Sequence, residues 1–190
     1  MSRPSRRHIE AEDQRMLRRQ ADFRLAAGYV ADDLARCEDV QAITLIGSVA
    51  RPLRREVPRF QPFRRHGALI LHECGDIDLA VWVSRLDRLP VLARARSTAL
   101  KRLLAERSIG VAHHQAELFL FEPGTDAYLG RLCTFNTCPK GHADCETPGC
   151  GREPFLKQHE AFRLYADALA EGRCVRLWQR GEGWLAQDGG

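Results

Sequence analysis

The chain has 190 residues and a mass of 21.5 kDa, of which 44% are hydrophobic and 28% charged. That is enough for one well-filled core, and it excludes wholesale disorder. A formal charge of +4 permits an anionic partner without demanding one, and no apolar stretch approaches the roughly 18 residues that span a bilayer.

In chain order, residues from Ile9 to Cys37 predict a long amphipathic helix, with Met16, Phe23, Ala26, Val30 and Leu34 recurring at helical spacing. Val40 to Ile46 is a short run containing β-branched residues that ends at Gly47-Ser48, as a buried strand entering a tight turn would. Arg51 to Arg65 is rich in arginine and proline, has no period, and predicts an extended loop. Ile70-Leu71 opens a strand, and Asp76 to Val83 alternates as a second one. Pro90 starts a helix to about Arg107, with Leu92, Ala95, Ala99 and Leu103 inward. Ala112 to Phe121 is strand-like. A cysteine segment follows, from Cys133 to Cys150, and then a helix is predicted from Pro154 to Ala170, with Phe155, Phe162, Ala166 and Leu169 on one stripe. Cys174 to Trp178 predicts a last strand, and Gly181 onward a tail.

The expected fold is α+β, a small mixed β-sheet flanked by helices with a Cys-rich, zinc-bound loop, in a single domain over residues 1–190. Within it, 1–39 form a helical segment, 40–124 the core, 131–152 the zinc-binding insert and 153–180 the C-terminal helix and strand. The start, Met1 to His8, lacks the apolar middle of a secretory signal. A cytoplasmic protein with no membrane partner is therefore expected.

Asp76 and Asp78 stand two apart in a strand, so their side chains leave one face while Ile77, Leu79, Val81 and Val83 leave the other. Adjacent carboxylates repel unless a cation lies between them, and a magnesium ion, which prefers hard oxygen ligands, suits that geometry. Glu117 is an acid among apolar residues in the strand Gln115-Ala116-Glu117-Leu118-Phe119, and it is the candidate third carboxylate of a two-metal clamp. Three acids facing solvent at a sheet edge is the alternative. At the turn, Gly47 lets the backbone approach a phosphate closely, and Ser48 adds a hydroxyl donor.

Two motifs carry a resemblance. Ile43-Thr44-Leu45-Ile46-Gly47-Ser48-Val49-Ala50-Arg51, followed by Asp76-Ile77-Asp78-Leu79-Ala80-Val81 and then Glu117, resembles the nucleotidyltransferase superfamily of DNA polymerase β. That superfamily includes the minimal nucleotidyltransferases and the kanamycin-type antibiotic nucleotidyltransferases. The resemblance covers roughly Val40 to Phe121. It implies that Asp76, Asp78 and Glu117 are catalytic and hold two magnesium ions, and that Gly47, Ser48 and Arg51 hold the phosphates of a nucleoside triphosphate. The chain departs from the family in the longer gap, residues 49 to 75, between turn and acidic pair. That gap carries Arg51, Arg54, Arg55, Arg59, Arg64 and Arg65, which fit a triphosphate site, a polynucleotide site or a solvated loop.

Only three lysines stand among the 29 basic residues, and seven cysteines stand in a chain expected to be reduced. Cys133, Cys138, Cys145 and Cys150 read Cys-x4-Cys-x6-Cys-x4-Cys among turn-forming Pro and Gly, the donor set of a closed structural zinc site. His142 could replace one of them. Cys74, with His72 as base, lacks the third orienting group that a nucleophilic cysteine needs.

The expectation is a magnesium-dependent transferase that moves a nucleotidyl group from a nucleoside triphosphate to an acceptor hydroxyl by a two-metal mechanism. The acceptor is protein, small molecule or RNA, and a partner protein is among the expected partners. The competing reading is a non-catalytic nucleotide- or nucleic-acid-binding module with a structural zinc site.

Overall fold

A computed structural model describes residues 3–135, 138, 150, 153–158, 164–165 and 167–185. The elements in chain order are α1 (Arg6–Ala35), β1 (Val40–Ile46), α2 (Gly47–Ala50), β2 (Arg55–Glu56), β3 (Ile70–Leu71), β4 (Ile77–Val83), α3 (Leu89–Arg107), β5 (Ala116–Phe121), β6 (Tyr128–Leu132), β7 (Leu156–Lys157), β8 (Val175–Gln179) and β9 (Gly183–Trp184). Among the described residues seven strands form one mixed sheet in the order β7-β6-β5-β4-β1-β8-β9, and β2 and β3 form a separate hairpin. Among the described residues β4 and β5 alone run parallel, joined by the crossover through α3; the other neighbours are antiparallel. No helix among the described residues is long and apolar enough to cross a membrane.

The long helices form because their apolar residues fall on one stripe. α1 starts at Ser5, whose hydroxyl accepts from the His8 N–H, and buries Met16, Phe23, Ala26, Ala27, Val30, Ala31 and Leu34. α3 carries Pro90 in its first turn, buries Leu89, Leu92, Ala93, Ala99, Leu100 and Leu103, and stops at Ser108 in the left-handed conformation. Both helices pack on the sheet face made by Ile43, Leu45, Ile77, Leu79, Val81, Leu118 and Leu120. Each such side chain contributes about 1.5–3 kcal/mol when fully removed from water. The opposite face carries a smaller cluster, Ile46, Ala80, Phe119 and Phe121, with Trp82, Tyr128, Leu164, Leu169 and Cys174 packed against it.

Four expectations need correction. The 51–65 segment is not simply an extended loop: it contains β2 and runs into a 3-10 turn at Arg64–His66. Phe63 and Ile70 bury against Met16, and Asp13 on α1 takes the Arg55 guanidinium and the Leu71 N–H. The strand expected from Ala112 begins only at Ala116, because Gln115 closes a 3-10 turn by accepting the Ala112 N–H and donating to the Gly75 carbonyl. The helix expected from Pro154 to Ala170 is absent among the described residues there. Leu156 buries its side chain as a strand paired with Leu132, and the N–H groups of Ala168, Ala170 and Arg173 donate to the carbonyls of Tyr165, Asp167 and Ala170. Sheet pairing won over a helical stripe of which Phe162 and Ala166 lie outside the described residues. The expected tail from Gly181 instead turns back as β9, pairing Trp184 with Trp178.

One buried cation ties the layers together. Arg96 occupies a core position of α3 at 0% exposure and donates to the carbonyls of Ala116 and Cys133. Its burial lowers the pKa of the guanidinium. Arg96→Ala deletes two charge-assisted hydrogen bonds and leaves a cavity, so a loss of about 3 kcal/mol or more is expected in urea unfolding. Arg96→Met, which refills the volume, is expected to lose less.

Candidate functional site

The site forms where β1 gives way to α2. Ile46 pairs with Asp78 across the antiparallel β1–β4 ladder, so the chain turns at Gly47 directly beside the Asp78 carboxylate. Gly47 has φ +75°, and a Cβ there would overlap Asp78 Oδ2 and stand 3.2 Å from its Cγ. Only glycine satisfies both demands at once. On the next strand, Asp78 stands in register with Glu117 across the parallel β4–β5 pair, which puts both carboxylates on the face opposite the helices. Asp76 precedes β4, is exposed, and lies close enough for its charge to act on Asp78. The structure therefore brings the three expected acids to one region, with Gly47 against the central one and Ser48 in the lining of the same cleft.

Helix α1 holds both turns of this region. Gln20 Nε2 donates to the carbonyls of Ser48 (3.1 Å) and Arg51 (2.6 Å), and Arg24 Nε donates to that of Val49 (2.9 Å). Arg19 Nε takes the Cys74 carbonyl at 2.7 Å, two residues before Asp76. Gln115 bonds the Gly75 carbonyl at 3.1 Å and so aligns the starts of the two acid-bearing strands. Arg51 Nε donates to the Gly47 carbonyl at 3.1 Å.

The electrostatics follow from this geometry. The Asp78 carboxyl is pushed up to about 6, first by its burial and then by the charges of Glu117 and Asp76, against a smaller opposing effect of Arg131. Arg131, on β6, gives Nη1 to Glu117 Oε2 at 2.6 Å. Its guanidinium also lies 5.9 Å from the centroid of the Phe119 ring. Arg131 thus brings a positive charge to the acidic cluster.

The expected metal sites are corrected. Among the described residues, no group of three or more His, Cys, Asp or Glu side chains is placed to hold a metal ion. For the magnesium positions at Asp76, Asp78 and Glu117, Arg131 already engages Glu117, and Asp76 projects from the loop before β4. For the zinc site, Cys133 is buried in the core with its N–H given to the Phe155 carbonyl, and Cys138 Sγ accepts from the Phe155 N–H at 3.3 Å. Cys150 pairs through its backbone with Lys157, while Cys145 and His142 lie outside the described residues. Cys74 is fully buried with its thiol pKa raised by burial, and His72 is taken by Glu56 at 2.9 Å. That pair is built as structure rather than as a nucleophile and its base.

Asp78 opens into a cleft of about 580 Å³ whose lining includes the polar residues Ser48, Arg51, Asp167 and Arg173 and the largely apolar residues Ile46, Phe119, Leu164, Tyr165 and Ala168. Arg131, Arg173 and Tyr165 escaped the sequence reading of the site. Tyr165 falls off the apolar stripe of the helix expected there, and Arg131 joins the acids through the pairing of Phe119 with Arg131 across β5 and β6.

A raised carboxyl pKa means that the folded state binds more protons than the unfolded chain between about pH 4 and 6. The stability it contributes is present below about pH 4 and is lost as pH rises through about 6. Asp78→Asn is expected to flatten that decline and to be more stable at pH 7 by about 2 kcal/mol, read from urea unfolding at stepped pH. Gly47→Ala is expected to cost about 2 kcal/mol or more, from backbone strain plus the clash. Adding Asp78→Gly should recover part of that loss, because it removes the clashing carboxylate.

No family model, no curated protein and no solved structure matches this chain.

Proposed function

We propose that this chain is a nucleotidyltransferase, binding a nucleoside triphosphate in the cleft beside Asp78 and passing its nucleotidyl group to an acceptor hydroxyl. The observation that carries the reading is the placement of the Gly47 turn against a buried carboxylate that has a second carboxylate, Glu117, in register beside it. The same arrangement supports assigning the chain to the nucleotidyltransferase fold and superfamily that its motifs resemble.

In this reading Ser48 and Arg51 hold phosphate oxygens at the cleft. Asp78 accepts the proton of the acceptor hydroxyl as the hydroxyl oxygen bonds to the α-phosphorus. The bond from that phosphorus to the bridging oxygen breaks, and pyrophosphate leaves with the electron pair. A carboxyl pushed up to about 6 is a stronger base than an ordinary one and is still mostly ionised at neutral pH. Burial is the main cause of the raised Asp78 pKa, Glu117 adds to it with its charge, and Arg131 pairs with Glu117.

The test uses the full chain with each of the four α-labelled ribonucleoside triphosphates, supplied as magnesium salts, and fractionated cell extract as the source of protein, RNA and small-molecule acceptors. Label transfer with pyrophosphate release is expected, rising with pH through about 6 and falling at least about 100-fold in Asp78→Asn. Tight nucleotide binding without transfer would favour the non-catalytic module. Absence of both binding and transfer would overturn the proposal.

A further inference from the structure

A second cleft, of about 480 Å³, adjoins the first and is lined by Pro52, Leu53, Arg54, Glu56, His72 and Gly172, together with Ser48, Arg51 and Arg173, which line both. The two differ in chemistry. The first has Phe119, Leu164 and Tyr165 in its lining, and Tyr165 is 85% exposed. The second has three arginines and one carboxylate in its lining; that carboxylate, Glu56, is engaged by His72, and of the arginines Arg173 is paired with Asp167. Arg54 is exposed and has no carboxylate partner among the described residues.

An exposed aromatic ring is a surface that a flat heterocycle can stack on, whereas an arginine-rich hollow suits phosphate oxygens. We infer that the nucleotide lies across both clefts, with its base against Tyr165 in the first and its terminal phosphates reaching Arg54 in the second. This orientation rests on the function proposed above and assigns parts to two residues outside the motifs that suggested it. Tyr165 is the base platform. Arg54, from the segment between the Gly-Ser turn and the acidic pair, is the phosphate-tail contact. The shared residues Ser48, Arg51 and Arg173 stand where the two halves of the ligand join.

The orientation predicts a double dissociation, measured by titration calorimetry with the tightest-binding of the four ribonucleoside triphosphates and, separately, with inorganic tripolyphosphate. Tyr165→Ala is expected to weaken the nucleotide about ten-fold and to leave tripolyphosphate unchanged, while Tyr165→Phe keeps nucleotide affinity. Arg54→Gln is expected to weaken both ligands about ten-fold. Both positions are exposed, and far-UV circular dichroism checks that the variants fold.

If the parent chain binds a nucleotide and either Tyr165→Ala or Arg54→Gln binds it equally well, the orientation is overturned while the functional proposal stands. A tripolyphosphate that does not bind the parent, or that Tyr165→Ala weakens as much as the nucleotide, overturns the orientation too. A parent that binds neither ligand overturns both.

Discussion

The site depends on one pairing, Ile46 opposite Asp78. Because β1 ends there, the backbone must turn beside a carboxylate, and only a residue without a Cβ leaves room for it. The turn in turn buries Asp78, and burial is the largest cause of its raised pKa. A single ladder register thus links a sterically demanding glycine to a chemically altered acid. Glu117, in register on the far side, adds a second negative charge that Arg131 then offsets.

Around this pairing the two faces of the sheet divide the work. One is wholly apolar and pays for the fold by burying strands β1, β4 and β5 under α1 and α3. The other leaves its acids and aromatic rings open to the clefts. Arg96 is the exception, a cation inside the apolar layer whose two Nη groups donate to carbonyls near the ends of β5 and β6.

Much of the core was legible because its signals are local. The run Val40–Ile46 and the alternation of Ile77–Val83 specify strands, although Asp76, expected in the second, lies just before it. That Glu117 joins the aspartates depends on the register of a parallel pair, which is set by α3 and by the bond of Gln115 to the Gly75 carbonyl across 40 positions. Local pattern carries no record of such contacts. Arg131, Arg173 and Tyr165 were illegible for the same reason, and Arg96 because hydropathy periodicity treats a buried arginine as a defect in the stripe. The cysteine spacing misled in the other direction. It satisfies a ligand count, but Cys133 lies in the core and no metal-holding group forms among the described residues.

The long segment between the Gly-Ser turn and the acidic pair has its own anchorage. Phe63 and Ile70 form a small cluster with Met16, and Asp13 fastens the β2–β3 hairpin through Arg55 and the Leu71 amide. None of these contacts draws on the sheet that carries Asp78 and Glu117. The segment is in that sense a modular attachment, seated on a helix that is already long enough to receive it. Its tip can change in length or composition without shifting the strand register on which the acids depend, which leaves this region open to diversification while the chemistry beside it stays constrained.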